Sequence, residues 1–109
     1  MHKKDRFESL FHAATTGSIS ELKQCADSID SWESKFHAKS GDTVLLLAAR
    51  NGHLHLLTYL IDTCQVDVKQ TNFDGKNALH EAAQAGHLQC VQFLIRRGIP
   101  VDSIKKADW

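Results

Sequence analysis

LLLAARNGHL at residues 45–54 and LHEAAQAGHL at residues 79–88 are the two stretches that decide the fold. The second follows the first by 34 residues, and LFHAATTGSI at residues 10–19 precedes the first by 35. Each copy has a leucine, a pair of alanines, a glycine and an aliphatic residue at the same places. A pattern that returns at this nearly constant spacing predicts a stack of similar units along one axis.

Each unit is predicted to fold as two short helices that meet at its glycine. In the second unit, Leu45, Ala48 and Ala49 lie on one side of the first helix. Gly52 suits the left-handed residue that ends this helix, and the aliphatic residues of 54–61 form the second one. Such short helices are marginal alone in water, so the units must pack on one another. The paired alanines let neighbouring first helices approach closely.

Polar connections rich in turn residues separate the units. Residues 66–76 carry a short stretch of alternating polarity and then the Asp74-Gly75 pair, which favours a tight hairpin turn. Residues 40–42 occupy the same place one unit earlier. Thr43 and Asn77 then stand where a side chain accepts hydrogen bonds from the first amides of a helix. The connections are therefore predicted to project as fingers.

Length and composition restrict the class of protein. The chain has 109 residues, 42% hydrophobic and 24% charged, which fits one folded domain and excludes a disordered or collagen-like chain. Lys plus Arg and Asp plus Glu both number 13, so no overall field attracts nucleic acid or an anionic membrane. The longest apolar run, residues 44–49, is too short to cross a membrane, and the charged start is unlike a signal peptide.

The histidines and cysteines do not predict a metal, cofactor or catalytic site. His53 and His87 follow the helix-ending glycines, where an imidazole can bond backbone groups of the neighbouring unit. Cys25, Cys64 and Cys90 are too widely spaced for zinc ligands, and their odd number indicates a reducing compartment. Because no nucleophile elbow or phosphate-binding loop occurs either, we expect neither an enzyme nor a bound cofactor.

Residues 41–53 and 75–87 resemble ankyrin repeats, whose pattern is G-x-T-P-L-H-x-A-A followed by G-H, at about 33 residues. Only His80 keeps the histidine of that motif, and Val44 and Ala78 replace its proline. The likeness covers nearly the whole chain. It implies an all-α ankyrin-repeat solenoid of stacked helix-turn-helix units with β-hairpin fingers.

This resemblance also divides the chain. A degenerate first repeat spans about 1–37, a second 38–71 and a third 72–105, and residues 106–109 begin a truncated fourth. In this register the next residues should start another first helix. We therefore expect a longer array, in which the uncapped end of the third repeat exposes an apolar flank available for contact.

The repeat register predicts a surface for binding another protein. Ten residues are expected at the finger tips and on the concave face: Lys39, Ser40, Asp42, Arg50, Asn51, Phe73, Asp74, Lys76, Gln84 and Trp109. The two aromatic residues are the natural anchors, because exposed aromatic side chains contribute strongly to interfaces. The alternatives are that Phe73 packs on its neighbour and that Trp109 lies between fingers in a complete array.

Residues 101–109, VDSIKKADW, are similar to one vertebrate branch of the family. That resemblance implies a cytoplasmic and nuclear protein that binds alanyl-tRNA synthetase and accepts misactivated serine on a lysine, here Lys106. A lysine amine attacks an activated ester only when it is deprotonated and correctly placed, so the aminoacyl-adenylate would have to be held beside it. The alternatives are a generic scaffold without a chemical role and weak nucleic-acid association through the Arg96-Arg97 and Lys105-Lys106 pairs.

Overall fold

The computed structural model describes residues 3–26 and 41–99, and regular structure in these ranges is helical apart from one bridge residue, Thr43. Its helices are α1 Lys3–Thr16, α2 Ile19–Ala26, α3 Val44–Arg50, α4 Leu54–Thr58, α5 Ala78–Ala85 and α6 Leu88–Arg96. A π-helical turn, Tyr59–Thr63, continues α4 directly. No helix in the described ranges is long and apolar enough to cross a membrane.

The helices form three stacked pairs. Within each pair α1 packs on α2, α3 on α4, and α5 on α6, while α3 lies between α1 and α5. The first helices thus form one layer, and α4 and α6 contact each other in a second layer. This arrangement confirms the predicted solenoid of helix-turn-helix units.

The core consists of small residues in the first helices and leucines between the layers. Ala13, Ala14, Ala48, Ala49 and Ala82 have no exposed surface. Nine of the largest side chains are also fully buried: Leu10, Leu22, Leu45, Leu46, Leu56, Leu57, Leu60, Leu79 and Leu94. Burial of these side chains is the main stabilising contribution, because helices this short gain little from their own hydrogen bonds.

The predicted helix caps are present. Thr43 Oγ1 accepts a hydrogen bond from the amide of Leu46 at 3.3 Å. Asn77 Oδ1 accepts one from the amide of His80 at 3.0 Å, and His80 Nδ1 accepts the Asn77 amide at 3.3 Å. The paired bonds of Asn77 and His80 form a capping box, which satisfies two otherwise unpaired amides.

The finger between α4 and α5 is a tight turn and not the predicted β-hairpin. The amide of Asn72 donates to the Lys76 carbonyl, and the amide of Gly75 donates to the Asn72 carbonyl, both at 3.0 Å. The Asn72 side chain accepts the amides of Asp74 and Lys76, each at 3.0 Å. Because Asn72 Oδ1 takes these amides, no ladder forms across the turn, and no strand occurs in residues 41–99.

The second unit ends in an unusual backbone conformation. Gln65 has φ 56°, in the left-handed region, whereas Gly98 holds the corresponding place after α6 with φ 91°. A side chain in this region costs roughly 1–2 kcal/mol, and glycine avoids that cost.

Substituting glycine at position 65 and glutamine at position 98 should therefore change the free energy of unfolding in opposite directions. We expect Gln65→Gly to raise the free energy of unfolding by about 0.5–1 kcal/mol, because the left-handed conformation favours glycine. Gly98→Gln should lower it by about 1 kcal/mol through the backbone alone, since an added Cβ there meets nothing within 4 Å. Urea unfolding of both variants measures the two changes, and a loss of stability in Gln65→Gly would contradict the assignment.

Candidate functional site

Arg50, at the end of α3, joins the second unit to the third. Its Nη2 donates to Asp42 Oδ2 and its Nε donates to Glu81 Oε1, both at 2.9 Å. The side chains of Asp42 and Glu81 are only 6% and 7% exposed, whereas that of Arg50 is 40% exposed. The hydrogen bond to Glu81, followed by that to Asp42, raises the pKa of the Arg50 guanidinium against the opposing effect of burial.

Asn72 completes a ring of hydrogen bonds with the same carboxylates. Its Nδ2 donates to Asp42 Oδ1 at 2.9 Å and to Glu81 Oε2 at 3.3 Å. Each carboxylate thus receives one bond from Arg50 and one from Asn72. Since Asn72 also organises the finger turn, the ring fixes the finger against α3 and α5.

Histidines connect successive units at the C-terminal ends of the first helices. His53 Nε2 lies 2.8 Å from the carbonyl oxygen of Thr15, and His87 Nε2 lies 3.0 Å from that of Arg50. Each imidazole also lies against the helix-ending glycine of the unit before it. A Cβ added at Gly17 would come within 2.8 Å of His53, and one at Gly52 within 2.6 Å of His87. The predicted histidine bonds between units are confirmed.

Phe73, at the tip of the finger, is both packed and exposed. A Cβ added at Gly41 would lie 2.5 Å from Phe73 Cδ1, so the ring rests against the backbone of the preceding connection. The residue nevertheless remains 67% exposed. The ring therefore has a supported position and a large solvent-facing surface.

Six of the predicted residues lie in the described ranges with exposed or partly exposed side chains, and we call this set the inner face: Arg50, Asn51, Phe73, Asp74, Lys76 and Gln84. Lys76 Nζ donates to Gln84 Oε1 at 3.1 Å, which holds the ammonium above α5. Asn51 Nδ2 donates to the carbonyl of Leu47 at 2.8 Å. The inner face thus offers an aromatic ring beside cationic and amide donors.

Asp42 is not available on this surface as predicted. It is 4% exposed, because its carboxylate lies beneath Arg50 and Asn72. It acts on the inner face by holding Arg50. Lys39, Ser40, Lys106 and Trp109 lie outside the described residues, and their predicted roles stay predictions.

Sequence reasoning missed Asn72 and Glu81, which complete the ring. Glu81 lies between apolar residues of α5, a place where an unpaired carboxylate is costly. That burial requires a partner, and Arg50 stands in the corresponding helix one unit earlier. Such an acidic residue in an apolar stripe is the signal that would have indicated the pair.

The metal-ligating and thiol side chains of the described ranges have the following surroundings. No group of three His, Cys, Asp or Glu side chains suited to a metal ion occurs in residues 3–26 and 41–99. Burial raises the pKa of the Cys90 thiol, and burial also raises that of Cys64 against a hydrogen bond from Tyr59. A raised pKa keeps both groups as neutral thiols, which are poor nucleophiles.

A second connection between units lies at the ends of the outer helices. Arg97 Nε and Nη2 donate to the two oxygens of Asp62 at 2.8 and 2.9 Å. Lys23 Nζ lies 5.5 Å from the centre of the Tyr59 ring. Each contact joins the π-helical turn to a neighbouring unit.

The Asp62–Arg97 ion pair should make the free energy of unfolding depend on pH. The Arg97 hydrogen bonds hold the pKa of Asp62 below its ordinary value. A lowered folded-state pKa means that the contribution is present above the unfolded pKa of about 3.9 and is lost as pH falls through the folded value. We expect the stability difference between the wild type and Asp62→Asn to shrink from pH 6 to pH 3 in chemical unfolding. A difference independent of pH would contradict this contribution.

Comparison with known proteins places these features in a family. The family model described as ankyrin repeats (3 copies) matches residues 10–105. Protein fem-1 homolog CG6966 of Drosophila melanogaster is 36% identical over 110 residues, covering 91% of this chain. Cortactin-binding protein 2 of Mus musculus is 36% identical over 64 residues, covering 59% of it.

A solved structure has the same fold. A chain in the structure of the Bd0816 predatory endopeptidase from Bdellovibrio bacteriovorus, in complex with immunity protein Bd3460, matches 86% of this chain with a TM-score of 0.78 and 25% identity. The present chain spans 17% of the fem-1 homologue, 4% of cortactin-binding protein 2 and 48% of the matched structural chain. The similarity therefore covers only a part of each of these proteins.

Proposed function

Because the chain belongs to the ankyrin-repeat family, we propose that it is a protein-binding module that holds its partner on the inner face. Ankyrin repeats are generic protein-protein interaction modules. The name of cortactin-binding protein 2 denotes a protein that binds a protein, and the matched structure is a protein complex. The whole protein's partners do not follow from these relatives, since each of them extends far beyond the matched repeats.

The observation that carries this proposal is the exposed, supported ring of Phe73. The ring lies against the backbone of Gly41, and Phe73 belongs to the turn in which Asn72 Oδ1 accepts the amide of Asp74, so little side-chain freedom is lost on binding. Such pre-organised aromatic residues are typical anchors of interfaces. Within the described ranges, the Arg50 guanidinium bonds only Asp42 and Glu81, which leaves further N–H groups of this partly exposed side chain to donate to acceptors of the partner.

Phe73→Ala should weaken binding of a captured protein partner at least about tenfold, as expected for an aromatic anchor. Leu88→Ala is the matched control, because Leu88 is 66% exposed but belongs to α6 and is not one of the inner-face residues. Affinities of the purified partner for both variants measure the effect. If both variants weaken binding equally, or if neither weakens it, the inner face is rejected as the binding surface.

The finer form of the proposal concerns the partner. We propose alanyl-tRNA synthetase, because residues 101–109 are similar to vertebrate ankyrin repeat domain-containing protein 16. That similarity implies a protein of cytoplasm and nucleus whose lysine accepts serine. The amine of Lys106 would attack the carbonyl of a seryl-adenylate bound by the synthetase, forming an amide, releasing AMP and losing a proton to solvent.

Mass spectrometry tests this finer proposal directly. The chain is incubated with purified alanyl-tRNA synthetase, ATP and serine, and the expected product carries one seryl group on Lys106. Lys106→Arg retains the positive charge but removes the acceptor, so its serylation at this position must vanish. Absence of binding would reject the synthetase as partner, and binding without serylation would reject the acceptor role. Neither result bears on the more general protein-binding function, which the comparison of Phe73→Ala with Leu88→Ala tests separately.

A further inference from the structure

The second helix pair contains one more residue than the third. Leu60 and Leu94 occupy equivalent buried places, as do Val66 and Ile99, but the first two are 34 residues apart and the second two are 33 apart. The carbonyl of Leu60 accepts the amide of Val66 at 3.0 Å, just as that of Leu94 accepts Ile99 at 3.2 Å. The same closing bond therefore spans an additional residue in the second unit.

The additional residue is held inside the helix, where it produces the π-helical turn. The amide of Cys64 donates to the carbonyl of Tyr59 at 3.0 Å, five residues back, in place of the usual four. Gln65 follows in the left-handed conformation. Both features are unfavourable locally, since π-helices are rare and a non-glycine left-handed residue is costly. An ordinary α-helix with a longer connection would avoid them.

Two contacts join this turn to the neighbouring units. Asp62, inside the turn, bonds Arg97 after α6 with both oxygens. Tyr59, the first residue of the turn, lies beneath Lys23 of the first unit. Moving the helix by one residue would rotate the following side chains by about 100° and take Asp62 away from Arg97.

We propose that the turn Tyr59–Thr63 is a register switch that responds to docking of the third unit. With α6 in place, Arg97 holds the additional residue inside the helix. When Arg97 leaves, the bond from Val66 to Leu60 opens, the helix takes the α-helical register, and the additional residue enters the connection to the finger. The outer layer of the stack is thereby coupled to the segment that carries Phe73.

Amide hydrogen exchange of the full chain, followed by NMR, tests the switch. Arg97→Gln and Asp62→Asn each break the clamp and should accelerate exchange of the Val66 amide by at least about tenfold. Arg96→Gln is the matched control, because it makes the same change on the neighbouring residue of α6 and should have no effect. The amides of Leu57 and Glu81, bonded to His53 and Asn77 at 3.1 Å, report the stability of the second and third units.

Three results would overturn the proposal. One is unchanged exchange at Val66 in both clamp variants. Another is equal acceleration by Arg96→Gln, which would make any loss of charge sufficient. The third is matching acceleration at Glu81, which would show that the clamp holds the whole third unit and not the helix register.

Discussion

Gly52→Ala is expected to lower the free energy of unfolding by about 3–4 kcal/mol, whereas Gly86→Ala should lower it by about 1–2 kcal/mol. The two glycines end equivalent helices with φ 73° and 80°, so the left-handed backbone cost is shared. They differ in surroundings. The added methyl at Gly52 would lie 2.6 Å from His87 Nδ1, whereas the one at Gly86 meets nothing within 4 Å. The difference between the two losses of unfolding free energy therefore measures the packing of His87 on Gly52, which connects the second and third units.

A double-mutant cycle separates the effect of the contact with His87 from the cost of the left-handed backbone at residue 52. His87→Ala removes both the ring that the added methyl would strike and the bond to the Arg50 carbonyl. In that background, Gly52→Ala should cost only the left-handed conformation, about as much as Gly86→Ala. Urea unfolding supplies all the values. Equal costs for the two glycines in the wild-type background would show that the imidazole does not need a glycine beneath it.

Arg50→Met should destabilise the protein by about 2–3 kcal/mol. Removal of the guanidinium takes one charged hydrogen-bond donor from each of the buried carboxylates of Asp42 and Glu81, and a buried charge that loses its counter-ion is costly. The expected loss is smaller than for a fully buried ion pair, because the Arg50 side chain is 40% exposed. The effect should appear in the unfolding midpoint and in faster exchange of amides in the finger turn.

Neutralising the carboxylates is the control for charge. Arg50→Met combined with Asp42→Asn and Glu81→Gln should recover at least half of the lost stability, since neutral amides are less costly to bury than ions. Arg50→Lys should lie between the wild type and Arg50→Met, because an ammonium keeps the charge but not the geometry of the two bonds. No recovery in the triple variant would mean that packing of the arginine stem, and not charge, accounts for the loss.

The helix pairs and caps were predictable because their signals are local. A leucine, an alanine pair and a glycine fix each turn within about ten residues, and Thr43 and Asn77 bond amides three residues away. The histidine joints were predictable because the repeat brings equivalent residues together. All of this follows from spacing along the chain.

The ring of hydrogen bonds around Arg50 and the π-helical turn could not be predicted from local spacing, because they depend on residues far apart in the chain. Glu81 lies 31 residues from Arg50, and Asn72 occurs in a connection that the sequence presents as an ordinary hairpin. The extra residue of the second unit is visible only as the change of spacing from 34 to 33. That change fits a longer loop as well as a widened helix. The widened helix contacts Lys23 and Arg97, which lie in other units and are far from it in the sequence.

The most direct test of partner binding on the inner face is NMR shift mapping on the isotopically labelled chain. The labelled chain is titrated with a purified protein partner, and the amide chemical shifts of residues 3–26 and 41–99 are followed. We predict that the largest shifts occur in the finger turn 72–76 and at Arg50, Asn51 and Gln84, with little change along α4 and α6. Shifts concentrated on α4 and α6, with the finger turn unaffected, would contradict the account.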